Sequence, residues 1–169
     1  MNKLYMISLG GKVKGANIEV HDVQFVVAES IEAAIPLVKD HWYGNSVKLH
    51  MDSYMEIKGA EGYKVTLTDV AQAEDKRLFF AYLGGYNDHS TQEIHEVSLM
   101  VCGSEREAKS IAIKTKGFDH IQRHVDSVVD VAASLLMAHG TSTYLKLEPS
   151  TDVYKLVPDW FGYKRLDQA

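Results

Sequence analysis

Four of the eight histidines fall into two pairs with matching sequence surroundings. His21 and His95 are each followed by an acidic residue, and His50 and His124 each precede an aspartate by two positions. Imidazole beside carboxylate is the usual material of metal sites and of general acid–base catalysis. The candidate ligand-binding residues are therefore His21, Asp22, His50, Asp52, His95, Glu96, His124 and Asp126.

Strand alternation decides which of these side chains can act together. His21 and Asp22 are neighbours on a strand-like segment, so their side chains point to opposite faces. His50 and Asp52 are two positions apart, so their side chains lie on the same face, about 6.5–7 Å apart along the strand. Such a pair can bind one ion, act in acid–base catalysis or simply hydrogen-bond. We favour hydrogen-bonded histidines that fix strand ends, so we assign no catalytic residue, no metal and no cofactor.

The matching surroundings belong to a repeat with a constant offset of 74 positions. Residues 4–57 align with 78–131 without a gap and with 13 identities over 54 positions. Chance identity would be roughly one in seventeen to twenty. Among the polar residues kept in both copies are Glu19 and Glu93. The simplest interpretation is a duplication inside one compact fold.

Each copy has the pattern of a β-β-α-β-β unit. Residues 3–9 are strand-like, 20–28 and 50–57 alternate between apolar and polar positions, and 63–67 form a returning strand. Ser30 begins a helix that runs to about Trp42, and Ser104 with Glu107 forms a capping box. We predict an α+β fold with mainly antiparallel sheets, in which the two units pack about a pseudo-twofold axis.

The predicted organisation is a first repeat unit at 1–75, a second at 76–150 and an aromatic C-terminal tail at 151–169 that covers apolar surface. In the second unit, 123–131 is assigned as a strand by analogy with the first copy. Residues 132–139 have helical spacing and precede Gly140, so we predict a helix there.

Two further motifs have structural and chemical interpretations. The pairs Gly10-Gly11 and Gly84-Gly85 end strands, and we interpret them as glycines that permit positive φ in a hairpin loop rather than as an anion-binding loop. Ser53 lies near His50 and Asp52, but it sits in mid-strand and lacks the sharp turn that a nucleophilic serine requires. Hydrolase chemistry is therefore disfavoured.

Composition narrows the class of protein. The net charge is −5 and no Lys/Arg run exceeds two residues, which argues against nucleic-acid binding. No segment approaches the roughly 20 apolar residues that span a bilayer. The only cysteine is Cys102, which we interpret as a core residue. We expect a cytoplasmic protein that forms a homodimer through a sheet edge or the tail.

These blocks together resemble a bacterial family catalogued as domain of unknown function number fifteen forty-three. The resemblance rests on Leu9-Gly10-Gly11, on residues 17–23 (Asn-Ile-Glu-Val-His-Asp-Val) and on His50-Met51-Asp52, with counterparts in the second copy. The second copy has Thr91-Gln92 where the first has Asn17-Ile18. The resemblance implies small α+β units that occur singly or in pairs, and it implies no known activity.

Two functions remain open. The one we favour is a non-catalytic binding or assembly module. The alternative is an enzyme or a protein that binds a small ligand or metal at the interface between the units, where His21 and His95 would converge.

Overall fold

The described part of the chain folds into strands with two α-helices, as the α+β prediction requires. The computed structural model describes residues 1–72, 75–114, 120–138 and 142–168. Within them the elements are β1 (Lys3–Gly11), β2 (Val20–Ala28), α1 (Ile31–His41), β3 (His50–Glu56), β4 (Gly59–Ala60), β5 (Tyr63–Thr68), β6 (Arg77–Tyr86), β7 (Ile94–Cys102), α2 (Glu105–Ala112), β8 (Ile121–Asp130), β9 (Leu135–Leu136), β10 (Tyr144–Pro149) and β11 (Trp160–Arg165).

The described strands form three sheets. The first has the order β11-β3-β1-β2-β9, the second β7-β6-β8, and the third β10-β5-β4. Every described strand pair is antiparallel except β2 with β9. In the first sheet β1 lies between β2 and β3, and in the second sheet β6 lies between β7 and β8. In both sheets, therefore, the strand that comes first in sequence is the central one.

Serine hydroxyls start both helices at equivalent positions. Ser30 accepts a hydrogen bond from the Ala33 backbone N–H, and Ser104 accepts one from the Glu107 N–H at 3.2 Å. The Glu107 carboxylate accepts a hydrogen bond from the Gly103 N–H at 2.9 Å, one residue before the N-cap, whereas the predicted capping box would have it accept from the N–H of Ser104 itself. These caps satisfy N–H groups that the first helical turn leaves without partners.

The core has two kinds of layer. The facing sides of the first and second sheets meet in one apolar cluster, where the rings of Phe25 and Phe80 lie 5.5 Å apart. The outer side of the first sheet packs against α1, and the outer side of the second packs against α2. Along β1, Leu4 and Met6 face the second sheet while Tyr5 and Ile7 face α1, as alternation requires. The predicted core residue Cys102 is buried beside α2, and burial raises the pKa of its thiol.

Two elements differ from the sequence predictions. The helix expected over 132–139 is wrong: a short 3₁₀ turn, Ala132–Ser134, leads into β9, and His139 lies outside the described residues. Leu135 packs into the core between the sheets, and Leu136 packs on the α1 side. Successive residues of an extended strand point to opposite faces, so β9, paired with the edge of β2, can fill both layers. The returning strands β5 and β10 pair with each other instead of joining the larger sheets.

The predicted strand over 123–131 is confirmed as β8. The aromatic tail pairs through β11 with β3, and the Trp160 ring stacks on that of Tyr54 at 6.3 Å. No helix in the described part of the chain is long and apolar enough to cross a bilayer.

Candidate metal-binding sites

Two histidines and two carboxylates converge at one end of the first sheet. His50 Nε2 lies 3.3 Å from an oxygen of Asp52 and 3.9 Å from one of Glu19. His21 Nε2 lies 3.5 Å from the other Asp52 oxygen and 3.8 Å from the other Glu19 oxygen. These four residues are called the first cluster.

The second sheet carries the same arrangement with shorter distances. His124 Nε2 lies 2.9 Å from one oxygen of Glu93 and 2.9 Å from one of Asp126. His95 Nε2 lies 3.2 Å from the other Glu93 oxygen and 3.4 Å from the other Asp126 oxygen. These four residues are called the second cluster.

Strand register places each pair of histidines on either side of a glycine. Gly10 of the central strand pairs with His21 on β2 and with His50 on β3, and Gly84 pairs in the same way with His95 and His124. A Cβ on Gly10 would lie 2.5 Å from His50 Nε2. The absence of a side chain at this position is therefore what allows the two imidazoles to meet above the central strand.

This register corrects the interpretation of the glycine pairs. Gly10 and Gly84 lie within strands, and the glycines with positive φ among the described residues are Gly15, Gly62 and Gly162. The requirement is for space rather than for an unusual backbone conformation. A Cβ on Gly84 would lie 2.7 Å from His124 Nε2, so the second cluster has the same requirement.

A β-bulge brings the second histidine of each cluster to the correct face. Ser8 pairs with Ser53 and Leu9 with Met51, so Asp52 is an extra residue on β3. Met55 faces the second sheet whereas Met51 packs on the α1 side, so the continuous alternation predicted for 50–57 is wrong at this point. Without the extra residue His50 would lie on the α1 side, away from His21. Asp126 is the extra residue at the equivalent place in β8.

Backbone carbonyls fix the tautomer of one histidine in each cluster. The Nδ1 atoms of His50 and His124 lie 2.9 and 2.8 Å from the carbonyl oxygens of Lys48 and Gln122. Because a carbonyl only accepts, Nδ1 must carry the proton, and the neutral ring then presents a lone pair at Nε2. Lys48 and Gln122 have positive φ, 65° and 51°, in a region that costs a non-glycine residue energy.

The geometry fits a bound divalent ion. Ligand nitrogens and oxygens at about 2.05 Å from a tetrahedral ion are about 3.3 Å from one another, and the histidine–carboxylate distances bracket that value. A lone pair on Nε2 beside two carboxylates is unfavourable unless a cation or a proton lies between them. Oε1 of Glu93 is buried and lies 2.9 Å from His124 Nε2, and no donor among the described residues meets it in hydrogen-bond geometry. A cation at the centre would satisfy it.

Different aromatic rings contact the histidines of the two clusters. Tyr163 of β11 lies over His50, with ring centroids 4.2 Å apart, and the His50 side chain is 1% exposed. In the second cluster Tyr82 stacks on His95 at 4.6 Å and Tyr86 on His124 at 6.1 Å. The hydrogen bond between Tyr86 and Glu93 raises the pKa of that phenol.

Two ionisable groups at these sites have shifted pKa values. Burial raises the pKa of the Asp52 carboxyl, against the lowering effect of His50 and His21. The hydrogen bond to the Gln122 carbonyl raises the pKa of His124, because it stabilises the protonated ring. Burial of the Asp52 carboxylate therefore costs solvation, which a bound cation or proton would offset.

The structure gathers six of the eight candidate residues into the two clusters. Asp22 and Glu96 are not in either cluster, because they follow His21 and His95 on strands and point to the opposite face. Each histidine meets its partner on the same sheet. Among the described residues no ion pair or ring contact joins His21 to His95, so the expected convergence of these two rings is not present.

Sequence reasoning left Glu19 and Glu93 out of the candidate set. They complete the clusters, and the available signal was their identity in the two copies. Tyr163 had no such signal, since it lies in the tail outside the repeat.

The chain resembles a solved structure over nearly its whole length. The crystal structure of a protein Il1583 from Idiomarina loihiensis has 32% sequence identity and a TM-score of 0.77, covering 98% of this chain and 99% of that chain. Residues 16–67 match the family model described as Domain of Unknown Function (DUF1543). The chain belongs to this family. The matched segment contains all four residues of the first cluster. No curated protein matches the chain.

Proposed function

We propose that the protein binds two divalent transition-metal ions, one in each cluster. The observation that carries this proposal is that, in each sheet, two imidazole Nε2 atoms each lie 2.9–3.9 Å from the same two carboxylates. Three residues of each cluster offer ligand atoms that all lie within 4.8 Å of one another. No substrate and no catalytic step is assigned to these sites.

The ligand set indicates the class of metal. Imidazole nitrogen with carboxylate oxygen suits zinc, cobalt, nickel and ferrous iron, whereas soft ions such as Cu(I) prefer sulfur. Cys102 is buried beside α2 and provides no thiolate to either cluster. With two histidines and two carboxylates bound, the charges of the carboxylates balance that of the ion.

The competing explanation is a proton network. If all four imidazoles were protonated, each would donate from Nε2 to a carboxylate, and the clusters would be purely structural. The two explanations differ in their response to metal at neutral pH, because protonated imidazoles do not coordinate an ion.

A titration separates them. Apoprotein prepared with a chelator is titrated with Zn²⁺ against a fluorescent zinc indicator. We expect two equivalents to bind, and one to remain in each of the double variants His21→Ala/His50→Ala and His95→Ala/His124→Ala. His41→Ala is the matched control, because His41 is exposed at the end of α1, and it should leave two equivalents. Absence of stoichiometric binding to the folded wild type would overturn the proposal.

We also infer that the two halves are copies of one unit. Four structural features occur in both halves, at positions that differ by 74. They are the glycine between the histidines, the extra aspartate, the positive φ two residues before the second histidine and the capping serine. We further propose that the two units pack about a pseudo-twofold axis. Superposition of 4–57 on 78–131 tests the duplication, and agreement only in isolated strands would contradict it. A rotation far from 180° in that superposition would contradict the axis.

A second candidate function is assembly of a homodimer in the cytoplasm. β3 has β11 on its outer edge, whereas β8 is the terminal strand of its sheet in the described part of the chain. An open strand edge invites pairing with a second copy. Native mass spectrometry reports the oligomeric state together with bound metal, and a monomer at micromolar concentration would contradict this candidate. The single, buried cysteine supports a reducing compartment.

A further inference from the structure

A cavity between the two larger sheets opens onto the first cluster. Its volume is about 330 Å³, at the lower end of the range of ligand pockets. His21 and Asp52 line it from the first sheet, and residues of the second sheet close the opposite wall. No residue of the second cluster is among the described residues that line this cavity.

Most of the wall is apolar. The apolar side chains come from both sheets, and the polar side chains are those of the two cluster residues, two serines and one tyrosine; Asp22 also borders the cavity, but its side chain points to the other face of β2. The apolar residues are Val23, Phe25, Phe80, Val97 and Val129. A wall of this kind holds a hydrocarbon body, and the few polar groups orient one polar end.

One substitution between the halves makes the two clusters unequal. Tyr82 lines the cavity and stacks on His95 with an angle of 10° between the rings, so its phenol covers that imidazole. The position that corresponds to Tyr82 at the offset of 74 is Ser8, which also lines the cavity and is too small to cover His21. The His21 side chain is 57% exposed, against 32% for His95.

The first cluster is also the looser of the two. Glu19 lies 3.8 and 3.9 Å from the two imidazole nitrogens, whereas the corresponding contacts of Glu93 are 3.2 and 2.9 Å. A loosely held carboxylate leaves room for an exchangeable ligand on the ion, which is the property that distinguishes open metal sites from closed ones.

We propose that the cavity binds a small carboxylic acid with an apolar body, whose carboxylate coordinates the ion in the first cluster. This inference rests on the proposed metal binding. The second cluster, which Tyr82 shields, holds its ion without access to the cavity.

The test uses Co²⁺ as a visible probe and phenylacetate as the ligand. In the variant His95→Ala/His124→Ala only the first cluster can bind Co²⁺, and its absorption spectrum reports exchange of a ligand. We expect phenylacetate to change the spectrum at a concentration at least about tenfold lower than acetate does, because the phenyl ring leaves water. The variant His21→Ala/His50→Ala, which keeps the second cluster, should bind Co²⁺ and show no response to phenylacetate.

Two cavity variants in the same background complete the test. Ser8→Tyr gives the first half the residue of the second, and Val97→Phe fills the cavity from the opposite sheet. Both should retain Co²⁺ binding and lose the preference for phenylacetate over acetate. Failure of the wild-type clusters to bind Co²⁺ overturns both proposals. Normal Co²⁺ binding with equal responses to phenylacetate and acetate overturns the cavity proposal alone.

Discussion

The carbonyl oxygen of Lys48 accepts a hydrogen bond from Nδ1 of His50 at 2.9 Å. Lys48 has a φ of 65°, and Gln122, which stands in the same relation to His124, has a φ of 51°. These are the non-glycine residues with positive φ in the described part of the chain. The positive φ of each residue costs conformational energy, and its carbonyl fixes the tautomer of the histidine two positions later. Backbone strain of this kind is typical of functional sites.

This strain predicts the effect of glycine at position 48. Lys48→Gly should be more stable than Lys48→Ala by about 1 kcal/mol, because glycine adopts positive φ without a Cβ clash. Denaturant unfolding of the two variants measures the difference. Equal stabilities would show that residue 48 is not held in the left-handed region in solution.

Replacement of Gly10 should damage the first cluster selectively. A Cβ at this position lies 2.5 Å from His50 Nε2, and the rigid strands on both sides leave the imidazole little room to move. Gly10→Ala should reduce the zinc stoichiometry from two to one.

Gly84→Ala is the matched control, because its Cβ meets the second cluster. It should also leave one equivalent of zinc, and the double variant should leave none. If Gly10→Ala keeps two equivalents of unchanged affinity, the ion does not lie between His21 and His50.

The sequence predicted the chemistry of these sites better than their geometry. Types and spacing identified the histidines and Asp52, since these signals are local. The partner of His21 could not be predicted, because the extra residue at Asp52 changes the face on which His50 lies and nothing in the alternation of 50–57 marks it. The role of Gly10 depends on strand register across three strands, which single-strand patterns do not contain.

The sheet-to-sheet core gives a prediction for stability. Phe25 is 2% exposed and packs edge-to-face against Phe80, and both sheets contribute to the cluster around them. Phe25→Ala should lower the free energy of unfolding by roughly 3–5 kcal/mol. The control is Phe161→Ala, because that ring is 77% exposed, and its effect should stay within about 0.5 kcal/mol. A loss below about 1 kcal/mol for Phe25→Ala would contradict the assignment of this core.

Asp167 predicts a pH dependence of stability. The Arg165 guanidinium and the Lys48 backbone N–H hydrogen-bond its carboxylate and lower its pKa to about 2. The folded state prefers the ionised form, so this stabilisation is complete above the unfolded pKa of about 3.9 and is lost as the pH falls through about 2. Asp167→Asn should therefore be less stable than wild type at pH 6, and the difference should shrink between pH 4 and pH 2.

Urea unfolding across that range measures both proteins. Glu105→Gln is a suitable control, since Glu105 pairs with Lys109 on the exposed side of α2, away from Lys48. A difference between wild type and Asp167→Asn that persists unchanged at pH 2 would show that the carboxylate charge is not responsible.

The most direct test of the two metal sites is anomalous diffraction at the zinc absorption edge from crystals of the full chain grown with Zn²⁺. The expected map contains one strong peak in each cluster, about 2.0–2.1 Å from the Nε2 atoms of His21 and His50 in the first and of His95 and His124 in the second. Four imidazoles without a peak between them, or peaks only at other surface residues, would contradict the proposal that this protein binds two metal ions.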